Sequence, residues 1–132
     1  LPNSLDTNVN FVTVERIPGW VHATVPNGVL RVHYVPGAAS GSLKLFDKVN
    51  AYDSTISFDS TSFTVDSNVS DTVNAINVPR TVDFSLTALA ASLISGKFVA
   101  GVVQRKALTD GADTVEANVL LLGLTLILDD TA

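Results

Sequence analysis

Apolar residues recur at every second position through much of this chain, the period of a strand with one buried face. In residues 29–35, Leu30, Val32 and Tyr34 share one side, and Arg31 and His33 share the other. Residues 42–47 repeat the pattern, with Leu43 and Leu45 inward and Lys44 outward. Residues 9–17 read as a first strand behind a loose polar leader, residues 1–8. Ile56 with Phe58, and Phe63 with Val65, mark two more strands around Asp59-Ser60. Val82 and Phe84 share a face in residues 81–85, and residues 98–105 and 115–128 complete the extended set. Pro18-Gly19, Pro26-Asn27-Gly28 and Pro36-Gly37 punctuate the early strands, and residues 109–113 form a late turn. A short extended piece is predicted at 20–24. The polar run 66–77 reads as the longest loop.

Residues 85–96 break the period of two. Leu86, Leu89, Leu93 and Ile94 fall at helical spacing with alanines between them. That spacing predicts one short helix over about 86–95, capped by Ser85 or Thr87 and ended by Gly96. Two strands are apolar on both faces. In the last, Leu120, Leu122, Leu124, Leu126 and Leu128 line one side. Val119, Leu121, Gly123 and Ile127 line the other, and Thr125 alone is polar. Residues 98–103 behave alike. An ordinary sandwich strand has a wet outer face, so these two need cover. The helix at 86–95 or another chain would supply it.

Composition sharpens the class. Val is the commonest residue at 19, and Asp outnumbers Glu 11 to 2, which suits strands joined by Asx turns better than helices. With 132 residues the chain is one domain, 1–132. The expected fold is all-β: a jelly-roll-type antiparallel sandwich with one short helix. With no Cys there is no disulfide, zinc thiolate, iron–sulfur cluster or thiol nucleophile. Position 1 is Leu, and the chain has no Met, which points to a processed product or an excised domain. A net charge of −5 argues against nucleic acid and anionic membrane as partners. No stretch reaches the length of an uncharged membrane span. A hydrophobic share of 46% and a mean hydropathy of +0.35 are high for a freely soluble monomer.

Candidate chemistry is sparse. His22 and His33 lie on different segments and lack the further ligands a zinc site wants. No Gly-x-Ser-x-Gly elbow supports a catalytic triad. Glu15 and Glu116 with the aspartates offer a paper carboxylate pair for glycoside hydrolysis, but aspartates this numerous serve turns. Asp110, Asp113 and Glu116 cluster at one turn as a weak Ca²⁺ candidate, without the order of an EF-hand. Asp66 and Asp71 in the predicted long loop are another weak one. Asn68-Val69-Ser70 is a glycosylation sequon in the predicted loop. Trp20, after Pro18-Gly19, is the candidate glycan contact; its bland reading is a plug at one end of the sandwich.

The run Val82-Asp83-Phe84-Ser85-Leu86-Thr87-Ala88-Leu89, then Leu93-Ile94-Ser95-Gly96 and Phe98-Val99-Ala100-Gly101-Val102-Val103, carries a resemblance. Residues 81–105 resemble the jelly-roll carbohydrate-binding-type domains of secreted polysaccharide-degrading proteins and phage spikes. The resemblance implies the fold and places no sugar-contacting residue on this chain. The expected role is a non-enzymatic structural subunit of an extracellular or virion assembly, such as a phage surface protein or a cell-surface filament. It would need no cofactor and would partner copies of itself or other subunits. The terminal strand, through Phe11 and Ile17, or the last strand, through Val119, Leu121 and Ile127, would make the contact. The alternative is a carbohydrate-binding module.

Overall fold

The structure, a computed structural model, describes residues 1–13, 16–18, 28–53 and 65–128. Within them lie seven strands: β1 (Asp6–Val12), β2 (Val29–Pro36), β3 (Gly41–Tyr52), β4 (Val65–Val73), β5 (Arg80–Ser85), β6 (Phe98–Lys106) and β7 (Val119–Ile127). They form two sheets, in the order β1-β6-β3-β4 and β5-β2-β7, with every neighbour antiparallel. The all-β sandwich expected from the alternation is what forms. Its strand order is that of strands two to eight of an eight-stranded jelly roll. Among the described residues the three-stranded sheet therefore stands one strand short of its partner, on the side of β7.

The inward rows come from the alternation. Leu30, Val32 and Tyr34 of β2 face Leu43, Leu45 and Val49 of β3 across a core that also takes Phe84 of β5 and Val99 and Val103 of β6. Arg31 and His33 point out, where Arg31 makes a bidentate pair with Asp83. In β6 the inner row includes Gly101, opposite Val49 on one side and Phe11 on the other. A Cβ there would lie 2.0 Å from the Lys48 carbonyl oxygen, so only glycine permits this approach of β6 to β3.

Three local expectations are corrected. The first concerns residues 86–95, which form no α-helix. A single 3-10 turn, Thr87–Leu89, is followed by further turns, with Leu89 N bonding Leu86 O at 2.8 Å and Ala90 N bonding Thr87 O at 3.1 Å. Leu86, Leu89 and Leu93 are nevertheless fully buried. Gly96 does end the segment, at φ +87°, and its amide bonds Ile17 O.

The second is the supposed loop 66–77, most of which is the strand β4. Its inner row is Val65, Ser67, Val69, Asp71 and Val73. The two polar members hid the alternation, and each has a partner inside. The third is the leader, which is tied down: β1 begins at Asp6, and Leu1 exchanges two backbone bonds with Val119, at 2.6 and 2.9 Å. The strands predicted at Ile56–Phe58 and from Phe63, and the extended piece 20–24, lie outside the described residues.

Candidate functional site

The two sides of the sandwich close differently. On the β4–β5 side the strands meet, and a polar network bridges the sheets. Arg80 donates to Asp71 from Nε at 2.9 Å and from Nη2 at 3.1 Å, and to Asn74 Oδ1 at 3.0 Å. The buried Tyr34 hydroxyl donates to the same Asp71 carboxylate. Arg80 holds the Asp71 carboxyl below the usual carboxylate range; burial, and then Asp71 itself, push the Tyr34 phenol well above its own. A half-buried carboxylate gripped by a cation and a phenol is a structural tie.

The opposite side, between β1 and β7, closes at one end among the described residues. There Arg105 is wholly buried on the inner row of β6. Its guanidinium donates to both oxygens of Asp113, each at 3.0 Å, and to the carbonyls of Leu1, Val115 and Ala117 at 3.0, 2.7 and 2.9 Å. These bonds occupy all of its N–H donors. They fix Leu1 and the 113–117 segment that delivers the chain to β7. Asp6 adds a second clamp, accepting from the amides of Leu108 and Thr109 at 3.0 and 3.1 Å.

Beyond this end the described residues leave the corner open. A hollow of about 230 Å³ is lined by Phe11, Val12, Thr13, Leu30, Leu124 and Leu126. A second, of about 370 Å³, lies at the Leu1 end beside Val35, Asn118 and Leu120. Between them runs the outer edge of β7, nine residues without a charge. The faces of β7 differ from the sequence expectation. A bulge against His33/Tyr34 inserts one extra residue, so the inward set changes phase from Val119 and Leu121 to Leu124, Leu126 and Leu128. Val119 is core and Leu121 packs against it. The outward apolar residues are Leu120 and Leu122, at 62% and 53% exposure, with Ile127 half-buried.

The remaining predicted residues fall as follows. Phe11 packs against the core opposite Gly101, and Ile17 is buried with its amide on Lys97 O at 2.8 Å. Both fill this sandwich. Asp110, Asp113 and Glu116 do not converge as ligands: Asp113 faces Arg105, Asp110 lies 3.3 Å from the Lys44 ammonium, and Glu116 is exposed. Among the described residues no group of three or more His, Asp or Glu side chains is placed to hold a metal. His33 bonds Thr125 Oγ1 at 2.8 Å. Asn68 is exposed on the edge strand β4, opposite Phe46. Trp20, His22 and Glu15 lie outside the described residues.

Sequence reasoning missed Arg105 and one other buried charge, Asp47 of β3. Asp47 Oδ1 accepts from the Ser67 amide at 3.0 Å and its hydroxyl at 2.6 Å, and Oδ2 meets no partner among the described residues. Burial pushes this carboxyl up. The available signal was parity: each lies on the inner phase of its strand. No protein-family profile, curated protein sequence or solved structure matches the chain.

Proposed function

We propose that the protein is a non-enzymatic structural subunit that associates with copies of itself through sheet surfaces, in an extracellular or virion assembly. The observation that carries this reading is the β7 edge, an uncharged strand with Leu120 and Leu122 turned to solvent beside an apolar hollow. Exposed apolar edge strands template pairing with another chain, and monomeric proteins usually blunt them with charge, proline or cover. The polar groups described inside the sandwich support the same reading. Among the described residues Asp71 and Asp113 are each engaged by an arginine, Arg80 and Arg105, in ties that hold the fold together.

Size-exclusion chromatography with light scattering, over a wide concentration range, tests the proposal, with electron microscopy of the eluted material. Oligomers or filaments are expected. A strict monomer at high concentration refutes it, and binding on a glycan array by that monomer would favour a carbohydrate-binding module.

A further inference from the structure

We infer that β7 pairs with β7 of a second copy, antiparallel about a two-fold axis, joining two three-stranded sheets into one of six strands. This rests on the self-association proposed above and gives it a geometry.

Strand order is the first ground. The place beside β7, where the first strand of a jelly roll would run, holds no described strand. Without that strand, the inner sides of β1 and β7 share the hollow that Phe11, Leu124 and Leu126 line.

A comparison of the four sheet edges is the second. β1 presents Asp6, Asn8 and Asn10; β4 presents Asp66, Asn68, Ser70 and Thr72; β5 follows Pro79 and carries Arg80 and Asp83. Three edges thus bear the charges and polar groups that discourage strand addition. Only β7 lacks them.

The third ground is Leu1. Its amine and carbonyl both bond Val119, the reciprocal pair of antiparallel neighbours, so Val119 is already paired on the edge side and residues 120–127 are the part of the edge that a second copy would meet.

Self-complementarity selects the occupant. A two-fold axis sets one row of side chains against itself. A charged row would repel its copy; Leu120, Leu122, Thr125 and Ile127 do not. The same axis turns each apolar hollow toward its counterpart. Gly123, at the middle of β7, has no described residue within 4 Å of where a Cβ would stand, which leaves room for close approach.

The test uses the absence of native cysteine. Single cysteines are placed at Leu120, Leu122, Thr125 and Ile127 in turn, with Asn68→Cys on β4 as control, and mild oxidation is followed on non-reducing gels. Leu120→Lys and Leu122→Lys are measured alongside by light scattering and circular dichroism. One β7 position should cross-link readily while Asn68→Cys does not, and the lysine variants should stay folded with their mass halved. If the wild type assembles, the folded lysine variants keep its mass and no β7 cysteine cross-links, the β7 pairing is overturned while self-association stands. A monomeric wild type overturns both.

Discussion

Asp113→Ala is the most demanding test of how this fold is held. Arg105 is wholly buried and the Asp113 side chain is 1% exposed. The substitution removes the two charge-assisted bonds at 3.0 Å and leaves the bonds to Leu1, Val115 and Ala117. Those carbonyls satisfy three donors without neutralising the charge, and a guanidinium cannot shed its proton. Breaking a buried pair by removing one partner costs about 3–5 kcal/mol. That is a large part of the roughly 5–15 kcal/mol that hold such a domain together. With a urea slope of about 2 kcal/mol/M, the unfolding midpoint should fall by about 1.5–2.5 M. Far-UV circular dichroism at pH 7 gives the midpoint. The double variant Arg105→Met/Asp113→Leu should cost less than the sum of its single changes, since no unpaired ion remains. A midpoint shift below about 0.5 M for Asp113→Ala, roughly 1 kcal/mol, would equate the pair with a surface ion pair and refute the account of Arg105 as a dry, charge-dependent clamp.

Other outcomes follow from the same packing. Leu93→Ala should cost about 2–5 kcal/mol in urea unfolding, because Leu93 is fully buried although its segment is no α-helix; a change of a few tenths would place it at the surface. Gly101→Ala should cost about 3 kcal/mol or more, since the new Cβ would meet backbone oxygen at 2.0 Å, where no side chain can yield; an unchanged melting temperature contradicts the register. The raised Asp47 pKa means that the folded state takes up this proton first, so wild-type stability should gain as pH falls from neutral through that raised value towards about 4. Asp71, held low by Arg80, works in the opposite sense: its contribution is complete above about pH 4 and is lost as pH falls through its depressed value. Asp47→Asn, followed by urea titration across this range, should abolish the gain and keep the acid loss. EDTA should leave the melting temperature unchanged, because Arg105 and Lys44 already engage Asp113 and Asp110; a large drop would restore the Ca²⁺ site.

Local alternation was enough to determine the class of fold and much of its core. Leu30, Val32 and Tyr34, and Leu43 and Leu45, face inward as their parity requires, because a strand turns successive side chains to opposite faces whatever lies around it. Burial of Leu86, Leu89 and Leu93 was legible too, as was the stop at Gly96, but the helix was not formed. Apolar residues three and four apart can be buried by a 3-10 turn as well as by an α-helix, and here the chain is also bonded outward, from Leu86 N to Gly28 O and from Gly96 N to Ile17 O. What tertiary structure alone decided were the places where a polar group belongs inside, or where a strand changes phase. Ser67 and Asp71 made β4 look like a loop, and they are tolerable within only because Asp47 and Arg80 stand across from them. Arg105 is tolerable inside only because Asp113 and the carbonyls of Val115 and Ala117, a few residues further along the chain, and of Leu1, more than a hundred residues before it, converge on its guanidinium. The bulge opposite His33/Tyr34 decided which leucines of β7 reach solvent, since one inserted residue reverses every face beyond it, and that depends on the partner strand.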